Sequence, residues 1–326
     1  MNLQAKELFF SKMNELHEKK TPFFFLVDFL CSKTEILPLK DLMQENILFK
    51  TPAKSNISEG IKPHKILEWE KYPISENAYK LQFEQVKTAI QAGDTYLLNL
   101  TCTTPIKTNY SLKELFSQGH AKYKLYYKDI FTHFSPEPFI QINNDKIYAY
   151  PMKGTIDGTM EEAGDNILAN EKELCEQFTI VDLIRNDLSI VAKNVRVDDF
   201  RYIEKISTNQ KELLSVSSKI SGNIREQFLN NPGAIFSALL PAGSICGAPK
   251  AKTLEIIAQT EKHDRKYYTG VWGIFDGEQI DSCVIIRYIE NTENGMVFKS
   301  GGGITSMSDP SAEYQEMIDK IYAPIY

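Results

Sequence analysis

Apolar residues recur at helical spacing over 4–20, where Leu8, Phe9, Met13 and Leu16 mark one face, and the following TPFFFLVDFL reads as a buried strand. The stretch from Leu39 to about Pro73 is polar and weakly patterned, which predicts a loop or insertion. From Asn77 the pattern sharpens. Tyr79, Leu81, Phe83, Val86 and Ile90 predict a helix closed by Gly93 and Asp94, and TYLLNLTCTTPI after it is rich in strand-forming residues. Strands are predicted at 130–134, 138–142 and 146–150, and one long helix from near Glu161 or Asp165 through Leu188. Further strands are expected at 283–289 and 296–299, with a closing helix from Ala312 to Tyr322. No repeat of about 20–50 residues recurs, so solenoids are excluded. Strands and helices interleave without a regular βαβ rhythm, which predicts an α+β fold with large antiparallel sheets. No Pro/Gly/Ser linker divides the chain, and residues 1–326 are read as a single domain.

Charge and cysteine usage narrow the function. The chain has 37 Lys and Arg against 43 Asp and Glu, a net charge of −6, and no dense basic stripe, which argues against a nucleic-acid partner. Cys31, Cys102, Cys175, Cys246 and Cys283 are odd in number, widely spaced and form no CxxC pair, so neither a disulfide framework nor a zinc site is suggested. The first twenty residues mix charge into every turn, unlike a secretory signal, and nothing approaches the roughly 18 apolar residues of a membrane span. A cytoplasmic protein without a membrane partner is expected.

Several residues carry candidate chemistry. Glu173 and Glu176 share one helix face, as do Glu313 and Glu316, each pair at i,i+3. Like charges at that spacing repel unless a cation lies between them. Two such pairs facing each other would suit Mg²⁺, which takes one or two carboxylates, waters and an anionic substrate; solvated helix faces are the alternative. Gly301, Gly302 and Gly303 follow a strand, where backbone N–H groups could approach an anion or the run could simply form a tight turn or bulge. Arg287 ends the apolar run SCVIIR and needs an anionic partner, either a substrate or a structural ion pair. Lys153 in PMKGT lies between a tyrosine-rich strand and a Gly-Thr turn, a setting for a nucleophile or for a merely solvated lysine. Glu137 in SPEPF stands on a kinked approach to a strand and would suit a general acid or base, or be a surface glutamate. GSICGAPKAKT is not a nucleotide loop: the pattern starting at Gly243 requires glycine and lysine where Ala248 and Pro249 stand.

In this order, SPEPF, PMKGT, ELCEQFTIVDLIRNDL, GSICGAPKAKTLEII, YYTGVWGIFDGEQIDSCVIIR, GGGITSMSDPSAEYQE and the closing DK resemble the chorismate-utilising enzyme family. The resemblance covers about 77–322, the expected catalytic core, whereas 1–70 form a short, divergent amino-terminal part. It implies two antiparallel β-sheets flanked by helices. It also implies that Glu176 and Glu316 bind Mg²⁺ directly, with Glu173 and Glu313 holding metal-bound waters or completing the shell. The ring carboxylate of chorismate would meet the metal and the N–H groups of Gly301–Gly303. Arg287 and Tyr268 would hold the enolpyruvyl carboxylate, Lys320 would lie close to the substrate, Thr155 would join the binding set, and Glu137 would serve the departing C4 hydroxyl.

Two positions separate the branches of the family. Lys153 stands where the aminodeoxychorismate branch carries lysine and anthranilate synthases carry alanine. Leu97 stands where isochorismate and salicylate synthases use a lysine base. The resemblance therefore implies amination of chorismate at C4, with ammonia from solution or from a separate glutamine amidotransferase subunit. Anthranilate synthesis and a non-catalytic chorismate-binding subunit are the alternatives. Ser215, Cys246 and Leu97 depart from the usual residues of this branch.

Overall fold

The computed structural model describes residues 3–57, 65–207 and 212–325. Two antiparallel sheets form its centre. The larger has nine strands. Eight run in the order 152–157, 212–224, 146–149, 138–143, 279–284, 271–275, 23–27 and 34–38, and 192–207 also pairs with 212–224. The second has eight strands. Seven run in the order 247–248, 97–108, 295–304, 288–292, 131–135, 123–127 and 47–50, and 69–71 also pairs with 97–108.

The strand Phe23–Val27 explains how the sheets pack. On one side it pairs with 271–275, with Phe23 opposite Phe275 and Val27 opposite Val271, and on the other with 34–38. Phe23, Phe25 and Val27 face a core shared with the helices Leu3–Glu18 and Pro232–Leu239, while Phe24 and Leu26 face Trp272, Phe49, Tyr123 and Phe131 between the sheets. Both faces are buried, so the strand is apolar throughout and does not alternate. A third cluster packs the helix Glu76–Gln91 against the eight-stranded sheet through Tyr79, Phe83 and Val86.

The structure bears out the first helix, the buried strand after it, the helix closed near Gly93 and the strands around 131–149. Other expectations need correction. The stretch 39–73 contains strands Ile47–Lys50 and Trp69–Lys71 as well as loop, because Ile47 and Phe49 fill the space between the sheets while Leu48 between them packs on the other side. Residues 58–64 of that stretch lie outside the described residues. The single helix through Leu188 is two, Ala163–Ala169 and Glu171–Val191, broken where Asn170 turns extended and accepts a hydrogen bond from the Glu173 N–H. The long hairpin 192–207 with 212–224 has no counterpart in the sequence reading, since its outer strand alternates too irregularly to signal itself. Leu81 is exposed, away from the buried face of its helix.

Candidate active site

Two of the places where the chain passes from one sheet to the other each carry a predicted site residue. Between strand Phe131–Ser135 of one sheet and Pro138–Asn143 of the other stand Pro136 and Glu137. Between Gln279–Val284 and Tyr288–Thr292 stand residues 285–287, ending on Arg287 in the left-handed region at φ 53°. The expected strand 283–289 is therefore broken by this crossing. The Phe134 N–H donates to the Arg287 carbonyl at 3.2 Å and the Val284 N–H to the Glu137 carbonyl at 3.2 Å, which laces the two crossings together.

A cavity of about 840 Å³ opens at this seam. Glu137, Lys153, Glu173, Glu176, Tyr268, Arg287, Gly301, Gly302, Gly303, Glu313, Glu316 and Lys320 all line it. Thr155 lies on strand 152–157 opposite Ser215, and its side chain is outside the described residues.

Lys153 owes its position to a bulge. Register slips between Lys153 and Thr155, around Gly154 at φ +75°, and a bulge of this kind re-aims the neighbouring side chain. The Ser215 hydroxyl donates to the Gly154 carbonyl at 3.0 Å. The Lys153 ammonium lies 3.9 Å from Glu176. It also lies 3.5 Å from where a Cβ on Gly303 would stand.

Gly301–Gly303 do not form the expected turn. They continue strand Gly295–Ile304, paired with Thr101, Leu100 and Asn99. Glu261 takes the Thr101 N–H and Arg265 takes the Asn99 carbonyl, so neither residue bonds across to the glycines opposite. In an antiparallel pair of that kind both backbones turn outward, which aims the polar groups of Gly301 and Gly303 away from strand 97–108. Absence of side chains matters here: a Cβ on Gly301 would stand 2.4 Å from the Leu100 carbonyl, and one on Gly302 3.2 Å from Glu313 and 3.8 Å from Glu316.

The helix Glu171–Val191 is fixed by buried Gln177, whose amide donates to the Pro151 carbonyl at 3.2 Å and the Ser218 hydroxyl at 2.8 Å. This hydrogen bonding sets Glu173 and Glu176 beside the bulge. The helix Pro310–Asp319 starts on Asp309, which accepts from the N–H groups of Ser311 and Ala312, and presents buried Glu313 and partly exposed Glu316. Among the described residues, no three acidic, histidine or cysteine side chains gather tightly enough to form a metal cage. Mg²⁺ asks for less, one or two carboxylates with water and substrate oxygens. Four glutamates on one cavity, two of them over a glycine that leaves them room, are a fitting donor set.

Burial pushes the Glu137 carboxyl above its ordinary pKa, against a hydrogen bond from Ser244 and the charges of Lys153, Arg287 and Lys320. Burial lowers the Lys320 pKa, opposed by Glu316 at 2.7 Å. Burial also raises Tyr268, which keeps its hydroxyl protonated. Arg287 has no ion pair among the described residues, and its Nε is buried without a hydrogen-bond partner. That arrangement favours an outside anion over the structural pair. Ser244 and Gln177 were missed in the sequence; Ser244 lies within the GSICGAPKAKT segment already singled out, whereas Gln177 looks like any polar helix residue.

The family description "chorismate binding enzyme" matches residues 19–326. The chain belongs to the chorismate-binding enzyme family. An uncharacterized PabA-like protein of Pasteurella multocida is 47% identical over 326 residues, the whole of both chains. Aminodeoxychorismate synthase component 1 of Klebsiella aerogenes is 30% identical over 264 residues, 76% of this chain and 57% of that protein. Anthranilate synthase component 1 of Bacillus subtilis is 28% identical over 335 residues, covering 98% of this chain and 60% of that one. MenF, the menaquinone-specific isochorismate synthase of Escherichia coli, shares the fold with a TM-score of 0.73 at 17% identity, over 98% of this chain and 81% of that one. Chorismate-binding enzymes thus share this two-sheet architecture, and no helix among the described residues is long and apolar enough to cross a membrane.

Proposed function

We propose that this chorismate-binding enzyme aminates chorismate at C4 to give 4-amino-4-deoxychorismate, the activity of an aminodeoxychorismate synthase component I. The observation that carries this reading is Lys153, an amine re-aimed by the Gly154 bulge into the same cavity as a carboxyl biased toward its protonated form. Likeness to the synthase of Klebsiella aerogenes supports it.

In the proposed reaction Arg287 and Tyr268 hold the enolpyruvyl carboxylate, and the backbone of Gly301 and Gly303 receives the ring carboxylate. Glu137 gives its proton to the C4 hydroxyl, which leaves as water. Neutral Lys153 adds at C2 as the two conjugated ring double bonds shift toward C4, and its surplus proton returns to Glu137. Ammonia then adds at C4, both double bonds shift back, and the Lys153 nitrogen leaves with the proton that the ammonia nitrogen gives up. One displacement becomes two easier ones, and chorismate plus ammonia yields aminodeoxychorismate plus water. Glu176 and Glu316, backed by Glu173 and Glu313, would hold Mg²⁺, which when bound supplies positive charge for the ring carboxylate. The ammonia comes from solution or from a separate glutamine amidotransferase subunit.

The test is incubation with chorismate, Mg²⁺ and ammonium, followed by mass analysis. The expected product retains the enolpyruvyl group. Fluorescent anthranilate would overturn the C4 assignment in favour of the anthranilate branch, and stabilisation by chorismate without turnover would make the protein a binding subunit.

A further inference from the structure

Strand Leu97–Thr108 has an incomplete outer edge. Its neighbour there, Gly247–Ala248, reaches only Leu98 and Leu97. Beyond that, at Asn99 and Thr101, side chains replace the missing strand. Glu261 accepts from both the Thr101 N–H and its hydroxyl at 2.8 Å, and Arg265 donates to the Asn99 carbonyl at 2.5 Å. Glu261 and Arg265 pair at 2.6 Å, with side chains 3% and 2% exposed. His263 adds a contact to the Thr101 hydroxyl at 3.1 Å.

The same arginine reaches two further walls of the cavity. Its other terminal nitrogen donates to the Ile245 carbonyl at 3.0 Å, in the short helix Gly243–Cys246 that carries Ser244, and to the Thr269 hydroxyl at 3.3 Å. Its own carbonyl accepts from the Tyr268 N–H at 2.9 Å and from Lys299 at 3.1 Å. The guanidinium lies 4.4 Å from the Phe29 ring centroid. Only a planar group with donors in several fixed directions can hold all these acceptors at once.

We infer that Arg265, braced by Glu261, is a positioning residue that sets the glycine strand, Ser244 and Tyr268 in one common frame. The effect on substrate rests on the reading of the cavity as a chorismate site; the effect on the frame does not. Nothing in the cavity touches the guanidinium's role directly: Arg265 acts through the strand behind Gly301 and Gly303, through the carbonyl beside Ser244 and through the turn that ends at Tyr268.

The experiment uses Arg265→Lys, which keeps a charge for Glu261 and loses the fork. Glu261→Gln is the gentler variant, keeping an oxygen for Thr101, should the first not fold. Phe29→Leu is the control, because it loosens packing on the guanidinium and leaves its hydrogen bonds. Hydrogen–deuterium exchange without ligand should quicken at Gly301–Ile304 and around Ser244 in the first two variants and not in the control. Chorismate affinity, measured by titration with Mg²⁺ present, should fall at least about tenfold. Unchanged exchange at those segments would overturn the inference whatever the substrate is. So would an equal loss of affinity in Phe29→Leu at matched melting temperature, since that would reduce Arg265 to general stability. Failure of the unaltered protein to bind chorismate would sink the substrate reading alone, and the exchange result would still decide on the frame.

Discussion

The ammonium of Lys320 lies 2.9 Å from the carbonyl oxygen of Gly301, tying the end of the last helix to the glycine strand. On its other side Glu316 stands 2.7 Å away. On the opposite wall Lys153 and Glu176 are 3.9 Å apart. Each glutamate expected to touch Mg²⁺ thus has a lysine beside it, so a change at either glutamate also takes a carboxylate away from that lysine.

Glu316→Gln should keep the fold and cut turnover at least about a hundredfold, the upper end of what losing a partner around a metal commonly costs. The stabilisation that Mg²⁺ gives in the presence of chorismate, read as a melting-temperature shift, should disappear with it. Near-normal turnover at low Mg²⁺ would refute the metal assignment.

Arg287→Lys keeps the charge and loses the planar fork. The KM for chorismate should rise about tenfold, equivalent to roughly 1.4 kcal/mol of binding. Since Arg287 has no ion pair among the described residues, its melting temperature should hardly move. A lower melting temperature at constant KM would assign the residue to the fold.

Withholding ammonia should let a chorismate-derived adduct, lacking water, build up on the peptide containing PMKGT. Lys153→Ala should abolish that adduct in digests examined by mass spectrometry and leave chorismate binding in place. Full aminodeoxychorismate synthesis by the alanine variant would end the covalent mechanism.

Glu137 must be protonated to act as the acid, and burial raises its pKa, so activity should decline as pH rises through the folded value. Glu137→Gln should lower kcat by about 10²–10⁴-fold. The stability effect has the same origin. Between the unfolded and folded pKa the native state binds more protons, so stability falls as pH rises there. The glutamine variant should therefore melt no lower than the parent above that window, and a clearly lower melting temperature at pH 8 would contradict the buried-carboxyl account.

His133 is fully buried, accepts a hydrogen bond from the Trp272 indole at 2.5 Å, and is pushed by burial down to about 3. Below the unfolded pKa of about 6.5 the unfolded chain takes up a proton that the native state refuses, so stability drops as pH falls from there toward 3. The loss should reach about 3 kcal/mol by pH 4. His133→Gln keeps an acceptor and does not titrate, and denaturant melts at pH 7 and pH 4 should show a smaller difference for it.

What could be read from the residues depended on how local the signal was. The pairs at 173/176 and 313/316 were legible because three-residue spacing alone puts them on one face, and that both pairs line one cavity followed from the resemblance. Phe23–Val27 was legible as a strand, though not which faces were covered. The glycine run misled: three glycines suggest a turn, and only pairing with 99–101, two hundred residues or more earlier in the chain, makes them strand. Arg265 and Gln177 were invisible for a similar reason. Their importance comes from carbonyls at 99, 245 and 151, and no pattern within their own segments announces those partners.

The pairing of Phe23–Val27 with 271–275 has a consequence for synthesis. During translation one edge of this FFFLV segment can pair with 34–38 at once, whereas the other has to wait for 271–275 until some 250 further residues have been made. Pairing across so long a loop forms slowly. Meanwhile five consecutive apolar residues, without charge or proline, stand ready to pair with another chain. Expression level and the need for chaperones should therefore respond to substitutions in this strand more than to changes in the cavity, even where the finished protein is equally stable.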